Sequence, residues 1–184
     1  MKVFIDCGAF RGKIIKRFND ARPGYKIYAF ECNPTLSGFD YGPEVTTIRK
    51  AIWTADETIS FYLSKANKDK VEGSTVFKQK TTGNIDRDNP VHVQALDFGR
   101  WMRCNFSISD YVVVKMNVEG AEYDVIPKMI QDGSIKLINE LHIQWHYQKI
   151  FFPIESHREI VAALKATGIG YFHGYEKLYT GPEK

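Results

Sequence analysis

An α/β fold built on a mostly parallel sheet flanked by helices is what the sequence predicts, and three observations predict it. Short apolar runs alternate with helix-spaced stretches along most of the 184 residues, the pattern of strands joined by crossover helices. Runs such as Val3-Phe-Ile5 and Val112-Val-Val114 lack polar alternation, which suits strands covered on both faces. The first run ends in Asp6-Cys-Gly-Ala-Phe-Arg-Gly12, an acid and a glycine turn ahead of a helix, laid out like a nucleotide-binding strand, turn and helix.

In chain order, strands are expected over residues 3–6, 26–31, 45–51, 111–116, 137–145 and 170–175. Gly8 relieves the backbone where the chain reverses after the first strand. A helix over 10–20 carries Ile14, Ile15 and Phe18 at helical spacing, and one over 154–167 sets Ile160, Val161 and Leu164 on one face. A third, over 121–132, contains Pro127, which removes a backbone donor and predicts a kink or displaced ends. Asp97 is placed to cap a short helix over 98–104. Residues 55–90 break the alternation: 58–64 reads as a short strand with Ile59, Phe61 and Leu63 alternating, while 65–73 and 78–89 are polar and loop-like. This reads as a β-hairpin and loop insert that supplies substrate contacts.

The length fits one domain over residues 1–184, with room for a sizeable core but not for a second catalytic unit. The net charge of +3 is mild and dispersed, so nucleic acid is not demanded as a partner. Cys7, Cys32 and Cys104 are odd in number and read as small buried hydrophobes in a reducing compartment rather than a disulfide or zinc framework. No apolar run approaches a membrane span and the N-terminus enters a strand directly, so a cytoplasmic protein without membrane association is expected.

Chemistry gathers at four places. Asp6 and Gly8 lie where ligands bind in open parallel sheets. Asp6 is suited to orient the turn or to hold an ammonium, and backbone donors to take a carboxylate. A dinucleotide fingerprint would need glycine where Phe10 stands, so a smaller, less anionic nucleoside such as S-adenosylmethionine fits better. Glu31 closes the second strand, 25 residues after Asp6, near the roughly 20-residue offset at which an acid reaches ribose hydroxyls. Asn117 and Glu119 follow the strand 111–116 and should emerge at the same sheet edge. In Glu140-Leu-His-Ile-Gln-Trp-His146, His146 is late enough to reach that edge as a base, whereas His142 reads as a core histidine. No spacing dictates a metal.

With these motifs in hand, the chain resembles the FkbM family of class I S-adenosylmethionine-dependent methyltransferases. The resemblance rests on Asp6-Cys-Gly-Ala-Phe-Arg-Gly12, Phe30-Glu-Cys-Asn-Pro34, Ala51-Ile52, Leu96-Asp97 and Lys115-Met-Asn-Val-Glu-Gly-Ala-Glu122. It implies a seven-stranded Rossmann-like sheet and methyl transfer from S-adenosylmethionine to a hydroxyl of a small molecule or carbohydrate. It places the cofactor over Asp6, Gly8, Ala9 and Gly12, its ribose on Glu31 beside Asn33, its adenine near Ala51 and Ile52, and the acceptor near Asn117, Glu119 and His146. The family pattern has Asp where this chain has Asn117, which takes no proton at neutral pH. That departure keeps open a cofactor-binding protein without catalysis. Lys65, Lys68, Lys70, Lys78 and Lys80 keep open an RNA methyltransferase, although a solvated loop face is the commoner meaning of such lysines.

Overall fold

The computed structural model describes residues 1–65 and 72–180. Along the chain run β1 (Lys2–Cys7), α1 (Lys13–Ala21), β2 (Lys26–Phe30), β3 (Val45–Ile48), β4 (Ala51–Trp53), β5 (Thr58–Phe61) and β6 (Val91–Asp97). Then follow α2 (Phe98–Asn105), β7 (Tyr111–Met116), α3 (Glu122–Gln131), β8 (Glu140–Ile143), α4 (Ile154–Ala166) and β9 (Gly170–His173). Six strands form one all-parallel sheet in the order β3-β2-β1-β7-β8-β9, and β4-β6-β5 form a second sheet with β5 antiparallel. β1 lies between β2 and β7, so the order of winding reverses there, and the ends of β1 and β7 frame the crevice that such a switch point opens.

Both faces of β1 are buried because both are apolar. Val3, Ile5 and Cys7 enter a core shared with Phe98 and Met102 of α2 and Ile126 and Met129 of α3. Phe4 points the other way, toward Phe18 of α1, and their rings stack at 3.8 Å. Asp6 and Lys115 break the apolar pattern as a pair: they are opposite in register between β1 and β7, 2.7 Å apart and buried. At the start of β8, Arg22 reaches Glu140 with hydrogen bonds of 2.9 and 2.8 Å, and the Tyr111 hydroxyl donates to the same carboxylate at 2.6 Å. Burial pushes Glu140 up, but His142, Arg22 and Tyr111 outweigh it and hold the carboxyl at about 2. His142, fully buried and stacked on Phe172 at 4.6 Å, is the core histidine the sequence suggests.

Four expectations change. The run 45–51 is not one strand: it divides at Arg49-Lys50, and Ala51–Trp53 leaves the large sheet to pair with β6. The large sheet accordingly has six strands rather than seven, with β9 paired directly to β8. α1 starts at Lys13 rather than residue 10, because Phe10 (φ 48°) and Gly12 (φ 68°) take left-handed conformations that hold the turn. β8 stops at Ile143, with 3₁₀ turns at Ser134–Leu137 and Tyr147–Ile150 on either side, so His146 does not sit on the strand. Pro127 lies within α3, whose ends fall within a residue of those expected. The insert is an arm of β5 against β6 with bridges at Tyr62–Thr75 and Ser64–Ile85. Among the described residues no helix is long and apolar enough to cross a membrane.

Candidate functional site

A cleft of about 330 Å³ opens at the switch point, at the lower end of the range for small-molecule sites. One wall is the β1 turn, Gly8 to Arg11, with Glu31 and Asn33 from the end of β2; Ala51, Ile52 and Phe61 give an apolar side. The opposite wall joins Asn117 and Glu119 to Gly73, Ser74 and Val76 of the insert.

Backbone hydrogen bonds frame the turn, and side chains complete it. The N–H groups of Gly8 and Ala9 both donate to the Phe30 carbonyl at 3.0 and 2.9 Å, and the Asn117 N–H donates to the Cys7 carbonyl at 3.0 Å. Gly8 has φ 79°, and a Cβ there would stand 2.1 Å from the Asn117 carbonyl oxygen. Only glycine lets the β1 and β7 loops approach this closely. Glu31 completes the turn: one carboxylate oxygen accepts the Phe10 N–H and the other the Asn33 N–H, each at 2.8 Å. Burial raises the Glu31 pKa, and these two backbone bonds oppose the rise. Each oxygen keeps a second lone pair, so Glu31 can still receive two hydroxyls from a ligand.

The expected cofactor residues divide. Gly8, Ala9, Glu31, Asn33, Ala51 and Ile52 line the cleft; Asn33 also caps the next turn, its Oδ1 accepting from the Thr35 N–H at 3.0 Å. Asp6 does not line it. It lies beneath the turn, paired with Lys115, whose ammonium also donates to the Gly8 carbonyl at 2.8 Å. Asp6 therefore supports the turn through Lys115 rather than holding a ligand's ammonium. Gly12 faces away, where a Cβ would meet the Tyr41 ring at 2.8 Å, and the Tyr41 hydroxyl donates to the Phe10 carbonyl at 2.5 Å.

Of the expected catalytic residues, Asn117 and Glu119 line the cleft and His146 does not. His146 is buried behind the loop, its Nδ1 2.9 Å from Glu122 and its Nε2 3.5 Å from Glu119. Desolvation works against its charge, but the two carboxylates outweigh it and raise its pKa to about 9. An imidazole already protonated at neutral pH cannot act as a general base there, which corrects the sequence-based role. Glu119, in a left-handed conformation (φ 54°), lies 2.8 Å from the ammonium of Lys80 and 3.5 Å from that of Lys149. Burial alone would raise its pKa, yet His146 and Lys80 hold it well below the usual carboxylate range, so it is a poor proton acceptor. The Asn117 Oδ1 is buried without a hydrogen-bond partner.

Three residues without an assigned role prove central. Glu122, fully buried, accepts the Val118 and Gly120 N–H groups at 3.0 and 2.8 Å as well as His146, and so sets the shape of the loop carrying Asn117 and Glu119. Lys115 carries a signal in the sequence, a cation inside an apolar strand, which demands a buried partner. Lys80 carries none, since it sits in a polar stretch that reads as solvated loop; it is 1% exposed. Lys68 and Lys70 lie outside the described residues, and Lys65 pairs with Asp86 at 3.2 Å. Among the described residues no group of three or more His, Cys, Asp or Glu is placed to hold a metal ion.

A family model described as Methyltransferase FkbM domain matches residues 6–176. Comparison with curated proteins and with solved structures returns no match. The matched span begins at the acid beneath the glycine turn, takes in both walls of the cleft, and ends just past β9. With a parallel sheet wound about a switch point and a cleft at that point, the chain belongs to the FkbM methyltransferase family.

Proposed function

We propose that the cleft binds S-adenosylmethionine and that the protein transfers its methyl group to a hydroxyl of a small molecule or carbohydrate in the cytoplasm. The observation that carries this reading is Glu31, a buried carboxylate whose oxygens are both oriented by backbone N–H groups on the rim of the switch-point cleft. The residues fit the nucleoside part of the ligand: a carboxylate for ribose hydroxyls, and Ala51, Ile52 and Phe61 for an apolar base. When bound, the cofactor supplies an electrophilic methyl on a sulfonium.

The protein then has to orient an acceptor in line and take up its proton. Asn117, which lines the cleft with its Oδ1 buried and without a hydrogen-bond partner, orients the acceptor. Among the described carboxylates on the cleft wall, Glu119 is committed to cations and Glu31 to the backbone. Glu72, exposed on the same wall, takes the proton. Of the three cysteines expected as buried hydrophobes, Cys7 is buried but Cys32 is half-buried and Cys104 exposed; a reducing compartment would keep all three as thiols. A small acceptor suits the lysines better than RNA does, because Lys80 is buried and Lys65 is paired.

Incubation with methyl-labelled S-adenosylmethionine and a panel of hydroxylated small molecules and sugars tests the reading. Label should pass to an acceptor, and Glu72→Gln should lower kcat about 100-fold while leaving cofactor affinity unchanged. Cofactor binding without transfer to any acceptor would instead favour a non-catalytic role, the reading that Asn117 motivates.

A further inference from the structure

Lys80 poses a question that the methyltransferase reading leaves unanswered. Its ammonium is buried in a hole between Gly73 and Gly83, both at positive φ, where a Cβ on either would lie 3.1 or 3.3 Å from Nζ. It donates to the Gly73 carbonyl and pairs with Glu119 at 2.8 Å. Burying an ammonium is costly, and a well-packed apolar residue of similar volume often stabilises a fold as well or better. What the charge adds is direction: it joins the insert to one particular carboxylate on the same wall of the cleft. Neighbouring contacts converge on the same joint. The Thr75 hydroxyl donates to the Glu119 carbonyl at 2.7 Å, the Thr81 N–H donates to the Lys149 carbonyl at 2.8 Å, and Phe77 packs where a Cβ on Gly120 would meet its ring at 2.7 Å.

We propose that Lys80 is a positioning residue that ties the acceptor-side wall, Gly73 to Val76, to the Glu119 turn, so that occupancy of the cofactor site and order in the acceptor wall are coupled. The proposal rests on the cofactor reading above. Lys80 does not line the cleft, whereas Gly73, Ser74, Val76, Asn117 and Glu119 do. It acts by fixing the spacing between them, which sets the size of acceptor that fits. The Asn117 N–H bond to the Cys7 carbonyl carries the link on to β1 and the cofactor turn.

Amide hydrogen exchange on the full chain, with and without S-adenosylhomocysteine, tests this. In wild type, the product should slow exchange in the segment spanning Thr75 to Thr81. In Lys80→Met, that segment should exchange about tenfold faster and no longer respond to the product, while β1 and β7 exchange as before and the product still binds. Unchanged exchange in Lys80→Met, or a response to product that survives the substitution, would overturn the proposal. Should Lys80→Met fail to fold, Thr75→Val, which deletes the hydroxyl that reaches the Glu119 carbonyl and accepts the Phe77 N–H, carries the same expectation and the same contrary result, read at the amides of the segment other than Phe77. Wild type that does not bind the product would sink the cofactor reading and the coupling together, whereas binding without any response in the insert would sink the coupling alone.

Discussion

Gly8→Ala is expected to lower unfolding free energy by roughly 3 kcal/mol and to remove measurable binding of S-adenosylhomocysteine. Two costs combine. A left-handed conformation strains any L residue by about 1–2 kcal/mol, and the new methyl would stand 2.1 Å from the Asn117 carbonyl oxygen, a separation no relaxation of one side chain can relieve. The β1 and β7 loops must therefore part, which breaks the Asn117 N–H bond to the Cys7 carbonyl and moves Asn117 relative to the turn. Gly24→Ala separates the costs, because Gly24 also has positive φ (83°) but nothing within 4 Å of its Cβ position. Urea unfolding should show Gly24→Ala losing only the backbone share, with ligand binding intact. Equal losses for the two variants would mean that the close approach of the loops contributes nothing.

Raising the pH from 6.5 to 9 should cost the fold roughly 3 kcal/mol through His146 alone. Its folded pKa of about 9 lies above the value of 6.5 it has when unfolded. The native state therefore holds a proton that the unfolded chain releases across this window. The contribution is complete below pH 6.5, declines through the window and is gone above pH 9. The groups around it are Glu119 and Glu122, with Lys80 and Lys149 beyond. His146→Gln removes the titrating ring, so denaturant midpoints measured across the window should flatten in that variant. A wild-type profile as flat as the variant's would show that the imidazolium is not held between the carboxylates as described.

How much of this was legible in the sequence depended on how local each cause was. The glycine turn after β1 and the cap at Asp97 follow from neighbours a few residues apart, and the structure places them as the motifs imply, whereas the part Glu31 plays in holding the Phe10 N–H comes from 21 positions away and is set by the pairing of β1 with β2. The division of the third run at Arg49-Lys50 was hidden, because Ala51 and Ile52 are as apolar as the strand before them and only β6 decides which sheet they join. Asp6 reads in the sequence as a ligand group because its partner Lys115 lies 109 positions away; the register of β1 on β7, not any local pattern, brings the two together. The strand period carries His146 to the cleft edge, but the strand ends at Ile143. Lys80 looks in the sequence like one charge among several on a polar loop, since nothing in its neighbourhood announces a glycine-walled hole.

The claim on which the rest depends is that the switch-point cleft holds an adenosyl thioether with Glu31 on its hydroxyls. Calorimetric titration of the full chain with S-adenosylhomocysteine tests it most directly. The account predicts saturable binding at a single site per chain, weakened about tenfold or more in Glu31→Gln, where one charged acceptor is replaced by a neutral amide. Wild type that fails to bind at concentrations up to about 1 mM, or a Glu31→Gln variant that binds as tightly as wild type, would contradict it.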